Sequence, residues 1–149
     1  MKYEITNEKK LVNGLTLYRI KALKDFGKVK AGDLGGWIEG ELNLSQEGDA
    51  WVANDAKVCG NARVSGNANV SEDAEVSGNA WVSGNAQVFG DAQVFGNAKV
   101  SGDAVVFGNA RVSGDAEVSG DAQVYGKAWV YGDAEVYGDA RLSRAGLWK

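Results

Sequence analysis

Few residue types in this chain could do chemistry. It has no histidine and a single cysteine, Cys59. That removes the Ser-His-Asp triad, the Cys-His pair, the His-bound zinc ion and the near-neutral imidazole base. One thiol forms neither an intramolecular disulfide nor a thiolate cage. With no histidine to activate it, Cys59 reads as a small neutral filler. Carboxylates remain. Glu75, Glu117 and Glu135 are conceivable bases, but they occupy outward positions of a repeat and read as solvated surface. Asp and Asn recur in three columns at 18-residue steps: Asp49, Asn67, Asn85, Asp103, Asp121, Asp139; then Asp55, Asp73, Asp91, Asn109, Lys127; then Asn61, Asn79, Asn97, Asp115, Asp133. Carboxylate ladders can bind Ca²⁺. The competing reading is corner chemistry with side-chain amide ladders, and the interspersed Asn and Lys127 favour it. The sequence therefore assigns no catalytic residue, no metal and no cofactor.

Composition narrows the partners. The 149 residues are about one domain in length and carry 16 Lys and Arg against 20 Asp and Glu, a net charge of -4. A nucleic-acid backbone binder needs a basic face, so no nucleic-acid partner is expected. Met1 to Lys10 has no apolar signal-peptide core, and no apolar run approaches the roughly 20 residues of a membrane span. The expected setting is cytoplasmic, with no membrane partner. Glycine stands at 21 residues and proline is absent.

The elements that hold these residues follow from a repeat. From Val52, steps of six reach Val58, Val64 and so on to Leu142: 16 aliphatic positions, 15 of them Val. Two residues before each stands Ala, in all 16 cases, and two after stands Gly in 13, the exceptions being Asn54, Glu72 and Arg144. From Asp55 to Asp139 the next position is Asp or Asn, except at Lys127. In an extended strand the Ala and Val of each unit share one face and the residue between them points out. Gly followed by Asp or Asn is turn chemistry, because these residues tolerate positive φ. Each hexad is thus a very short strand plus a corner, and a turn dipeptide in every six residues leaves no room for a helix. Successive coils should stack about 4.8 Å apart in parallel register around a narrow Ala/Val interior.

With units such as Val76-Ser-Gly-Asn-Ala-Trp81 and Val88-Phe-Gly-Asp-Ala-Gln93, residues 50 to 142 resemble the hexapeptide repeat of the bacterial transferase hexapeptide superfamily. The resemblance implies an all-β fold, a left-handed parallel β-helix in the form of a triangular prism with three hexads per coil. The 16 hexads then make just over five coils, about 25 Å long. It also implies acyl transfer with a histidine base between subunits, which this chain lacks, and side-by-side trimers. The segments Asp33-Leu-Gly-Gly-Trp-Ile-Glu39 and Leu44-Ser-Gln-Glu-Gly-Asp-Ala-Trp-Val52 resemble, more narrowly, small hexapeptide-repeat proteins of phages and prophages.

Three regions are expected: a small N-terminal β cap over 1–37, the β-helix over 38–142, and a C-terminal tail or cap over 143–149. Ile38 to Leu44 reads as an irregular first rung with Leu42 in the small inward slot. Leu44 and Val52 are eight apart, so Gln46-Glu47 reads as a two-residue corner insertion. In the cap, which an open prism end requires, Leu15 to Ile20 reads as a strand after an Asn13-Gly14 turn. Lys28-Val-Lys and Trp37-Ile38 suggest further short strands around Gly32 and Gly35-Gly36. Leu147-Trp148 either folds over the last coil or stays a loose tail.

The informative departure lies in the slot after each aliphatic. Up to Ser83 it holds Ala, Cys or Ser; later it holds Phe89, Phe95, Phe107, Tyr125, Tyr131 and Tyr137, with Ser between them. Serine elsewhere shows that the slot does not require an aromatic. Phe89, Phe107 and Tyr125 are 18 apart and should stack, with outward Val105 beside them and with Phe95, Trp129 and Tyr131 on the next face. A contiguous aromatic patch of this kind suggests a contact surface; the alternative is intramolecular stacking along the ladder. The functional expectation is a non-enzymatic oligomeric scaffold of phage or prophage type, a trimer for preference. It would bind or sequester a host protein or small ligand, with counter-defence as one setting. Two alternatives stand: a transferase-like enzyme holding acyl-CoA or a nucleotide-sugar between subunits without a His base, and a structural module of the virion.

Overall fold

In the computed structural model, which describes residues 1–144 and 146–148, the hexads wind into a parallel β-solenoid of about six coils with three sheets as its faces. Each hexad gives a two-residue strand such as Lys99–Val100, and strands 18 residues apart pair in parallel: Lys99 lies over Glu117 and Val100 over Val118. Lys99 N donates to Ala116 O (3.0 Å), Ser101 N to Val118 O (2.9 Å) and Asp103 N to Gly120 O (2.8 Å), while Ala104 N closes the corner turn onto Ser101 O (3.3 Å). Proline would remove these donors, which accounts for its absence. Every inward-slot Ala from Ala50 to Ala128 and every repeat Val from Val52 to Val130 is at most 1% exposed. Each buried Val contributes about 1.5–3 kcal/mol, so the solenoid is held by one continuous interior column.

The corners show why glycine recurs. Gly102 has φ +64°, and a Cβ built on it would stand 2.9 Å from the amide nitrogen of Gly120 in the next coil. Asn54 (φ +56°) and Glu72 (φ +59°) occupy the same slot and bear that backbone strain.

The irregular first coil is made by Ile38, Leu44 and Val52. Ile38 pairs with Val58 and Leu44 with Val64, each 20 residues on, whereas Val52 pairs with Val70, 18 residues on. The register changes between Leu44 and Val52, as the two-residue insertion requires. This coil explains why the solenoid has about six turns rather than just over five.

Two expectations about this coil need correction. Leu42 does not take the inward slot: Glu41–Asn43 forms a single 3₁₀ turn that leaves Leu42 54% exposed and turns Asn43 in, at 1%. The turn diverts Asn43 N to Gly40 O, so Asn43 cannot use its backbone to pair with the coil below. Its side chain substitutes, with Nδ2 donating to Gly60 O (3.2 Å) and Ala62 O (2.9 Å) and Oδ1 accepting from Glu39 N (2.9 Å) and Gly40 N (3.0 Å). Gly35 and Gly36, in turn, are not loop punctuation. They lie buried within strand β3 (Leu34–Ile38), where a Cβ on Gly35 would come within 2.6 Å of the Trp51 ring and one on Gly36 within 2.6 Å of Ala56 O.

The N-terminal end is closed by a hairpin. Strand β1 (Tyr3–Val12) and strand β2 (Leu15–Ala22) pair antiparallel through the Asn13-Gly14 turn, and β2 pairs antiparallel with β3. Since β3 also pairs in parallel with Lys57–Val58, the hairpin extends one solenoid face. The Lys28-Val-Lys stretch forms no extended strand; a single bridge joins Phe26 to Val29. Over the open end pack Tyr3, Ile20 and Trp51, with the Phe26 ring 5.2 Å from that of Trp51. The inserted Gln46 clamps β1: its Oε1 accepts from Lys2 N (2.8 Å) and Tyr3 N (3.2 Å), and its Nε2 donates to Tyr3 O (3.2 Å). Lys2 is 1% exposed and donates to Ala50 O (2.7 Å), Gly48 O (3.3 Å) and Glu47 O (3.4 Å), supplying donors where no earlier coil does. At the other end the backbone of Gly146–Trp148 adds a strand parallel to Ala128–Val130. The side chains of Leu147 and Trp148, expected either to cover the last coil or to stay loose, lie outside the described residues.

Candidate functional site

Three faces and three edges follow from the winding. The first face carries the outward column Lys57, Glu75, Gln93, Arg111, Trp129; the second Arg63, Trp81, Lys99, Glu117, Glu135; the third Trp51, Asn69, Gln87, Val105, Gln123, Arg141. The third face has no charged side chain in its column from Trp51 to Gln123, whereas each of the others carries both signs. The aromatic residues borne on the corner slots stand on the edges.

On the edge between the third and first faces, Phe89, Phe107 and Tyr125 form a ladder. The ring centroids are 5.1 and 5.0 Å apart and the planes are tilted by 7° and 5°. All three are half-buried, as is Val105 on the adjoining face. The 18-residue spacing is sufficient to place them, because one coil is one step of the ladder.

The remaining aromatics do not continue that patch. Phe95 and Tyr131 share the edge between the first and second faces, but Ser113 lies between them. Trp129 leans onto Tyr131, with centroids 5.5 Å apart, and its Nε1 donates to Ser113 Oγ (3.0 Å). Tyr137 stands on the third edge and is 68% exposed. The expected contiguous patch is thus three separate groups, because consecutive hexads place their slots on three different edges. Trp81, whose column the sequence gives no role, is 46% exposed, with Arg63 and Lys99 5.7 and 5.5 Å from its ring.

A cleft of about 420 Å³ opens between the hairpin tip and the first face. Val12, Leu15, Leu17 and Phe95 give it apolar walls, and Lys57, Glu75 and Gln93 give it polar ones. Cys59 also borders it. Burial pushes this thiol's pKa up, and Glu39 and Glu75 push it further, so the neutral form is favoured and nucleophilic use is opposed.

Two of the three Asp and Asn columns form side-chain ladders on the edges. Asn61 Nδ2 donates to Asn79 (3.1 Å), Asn79 to Asn97 (3.1 Å) and Asn97 to Asp115 (3.1 Å), and the neighbouring column runs from Asn67 through Asn85 to Asp103. Among the described residues no group of three His, Cys, Asp or Glu side chains is placed to hold a metal ion, and no helix is long and apolar enough to cross a membrane. Charge is distributed unevenly: residues 1–36 carry eight basic and four acidic side chains, and the rest of the chain eight and sixteen. The cap is therefore basic and the solenoid acidic.

Two stretches of the solenoid, residues 56–72 and 92–108, match the family model described as YdcK Beta solenoid repeat. No curated protein matches the chain. Both matched stretches lie within the parallel coils, with the same Ala/Val interior and the same rung pairing: the chain is a β-solenoid repeat protein.

Proposed function

We propose that this protein is a non-enzymatic, oligomeric binding scaffold of phage or prophage type. It acts by steric occupation or sequestration of a host protein, with counter-defence as a setting. The observation that carries the reading is the ladder of Phe89, Phe107 and Tyr125 beside a third face whose column bears no charge from Trp51 to Gln123. Half-buried aromatic rings next to an uncharged strip are what a protein–protein contact uses, and the serine found elsewhere in this slot makes them dispensable for the coil. The hexad period and the three-sheet prism support the finer reading of a left-handed coil of the hexapeptide-transferase type. On that scaffold a side-by-side trimer with the ladder at its seam is the favoured assembly. The missing histidine argues for a transferase scaffold without transferase chemistry, in the cytoplasm of a bacterial host.

Phe107→Asp tests the reading. It places a charge in the middle of the ladder on the outside of the coil, so the fold should survive while the oligomer mass or the captured host partner is lost. A variant that keeps both its solution mass and every partner contradicts the proposal.

The cleft under the hairpin tip supports a second form of the same reading, capture of a small ligand. A thermal-shift series with coenzyme A derivatives and nucleotides checks it, and a large saturable shift would also reopen the enzymatic alternative.

A further inference from the structure

The second face, which lies across the prism from the aromatic ladder, carries exposed apolar and charged side chains along its length. Within residues 38–142 three large hydrophobic side chains are exposed, Leu42 (54%), Trp81 (46%) and Tyr137 (68%), and all three border this face. Leu42 sits beside its first rung at Leu44, Trp81 lies in its outward column, and Tyr137 is on its edge. A shallow groove of about 360 Å³ is lined by Leu42, Arg63 and Trp81 at one end, and another of about 290 Å³ by Glu117, Glu135 and Tyr137 at the other.

Charge on this face is polarised along the prism. Its column runs Arg63, Trp81, Lys99, then Glu117, Glu135. Of the two edges that flank it, one passes from Asn61, Asn79 and Asn97 to Asp115 and Asp133, and the other, beyond Asp49 at its start, passes from Asn67 and Asn85 to Asp103, Asp121 and Asp139. The third edge does the reverse, passing from Asp55, Asp73 and Asp91 to Asn109 and Lys127. None of Arg63, Lys99, Glu117 and Glu135 makes an ion pair within the chain among the described residues.

We propose that a second copy of this chain docks antiparallel on the second face, related by a two-fold axis that passes between the levels of Trp81 and Lys99. Coils are about 4.8 Å apart, so the level opposite each residue is fixed by counting. Arg63 meets Glu117 of the second copy, the Trp81 ring meets Lys99 of the second copy, and the level of Leu44 meets that of Glu135. Each contact occurs twice, as a two-fold interface demands. The pairings along the column are complementary: two ion pairs and two cation–π contacts. A parallel arrangement would instead set Arg63 against Arg63 and Glu117 against Glu117. The pairing uses the side of the prism away from the ladder, so it joins two chains, or two ladder-built oligomers, independently of the ladder.

The test is solution mass by light scattering, with far-UV circular dichroism and unfolding midpoint as checks on the fold. Arg63 and Glu117 are exposed. Arg63→Glu and Glu117→Arg should therefore each leave the fold intact, halve the mass and weaken pairing by at least about tenfold, since each creates two like-charge contacts. An equimolar mixture of the two variants should regain the wild-type mass, because in the mixed pair both contacts are again between opposite charges. Raising the salt should weaken the wild-type pair. The proposal is overturned if either single variant keeps the wild-type mass, or if the mixture stays at the halved mass. In the Phe107→Asp chain the pairing should persist as a dimer, so loss of the ladder seam and loss of this one are read separately.

Discussion

Asn43 is the position at which one substitution should cost most for its size. Asn43→Ala removes an amide that serves four backbone groups: Gly60 O, Ala62 O, Glu39 N and Gly40 N. Ala62 O lies in the buried interior, and an unmet buried carbonyl costs about 1–3 kcal/mol. The other three groups are partly reached by solvent and should lose about 0.5–1 kcal/mol each, the net value of an ordinary hydrogen bond. The sum is about 2.5–6 kcal/mol, a large share of the 5–15 kcal/mol by which a domain is usually stable. Leu42→Ala, one residue earlier and exposed, is the control and should stay within about 0.5 kcal/mol at chain concentrations low enough to hold single chains. Equilibrium urea unfolding followed by tryptophan fluorescence suits the question, because Trp37 and Trp51 are buried beside the first coil. Hydrogen exchange at Ala62 and its neighbours would localise the loss. If Asn43→Ala costs less than about 1 kcal/mol, or if Leu42→Ala costs as much, the side-chain rung is not what joins the 3₁₀ turn to the solenoid.

Two further perturbations probe the corner and the cap. Glu72→Gly should stabilise the protein by about 0.5–1 kcal/mol in chemical unfolding, since it relieves a non-glycine residue at φ +59°; Gly102→Ala, at φ +64° with its Cβ 2.9 Å from Gly120 N, should destabilise it. Burial drags the Lys2 ammonium down to about 8, against the opposing pull of Asp49, while burial and Glu41 push the Tyr3 hydroxyl up. Between that value and the ordinary lysine value of 10.5 the unfolded chain binds a proton that the folded chain does not, so Lys2 makes stability rise with pH in this window. Tyr3 acts oppositely above its ordinary value of 10.0, where the unfolded chain loses a proton that the folded chain keeps. Subtracting the unfolding curves of Lys2→Met from those of the wild type, pH by pH, isolates the lysine; parallel curves across the window would show that its burial carries no proton linkage.

The sequence showed most plainly what the period controls. Six-residue spacing is a physical coil third, so the Ala/Val interior, the ladder of Phe89, Phe107 and Tyr125, and the register change after Leu44 can all be counted out along the chain. The misreadings fall where the period breaks. Leu42 is apolar and lies two residues before Leu44, so the pattern assigns it inward; the 3₁₀ turn reverses that because only Asn43 can replace two lost backbone donors with one side chain. Gly35 and Gly36 look like a turn because glycine usually marks one here, yet they are strand residues kept small by Trp51, Val52 and Ala56. Lys2 gives no sign of burial, since its three carbonyl partners come from a corner 45 or more residues away. The surface was legible by columns but not by edges. Eight candidate contacts in one stretch of sequence become three groups when neighbouring hexads face different ways, and Trp81 gives no signal in the sequence because a column of mixed charges resembles ordinary solvated surface.

The most direct test of the account is the solution mass of the intact protein over a range of concentrations, by sedimentation equilibrium. A scaffold that works through its outer surfaces should sediment as a multiple of the 15.7 kDa chain, and Phe107→Asp or Arg63→Glu should lower that multiple with the solenoid still folded. A wild-type mass of 15.7 kDa at every concentration would contradict it.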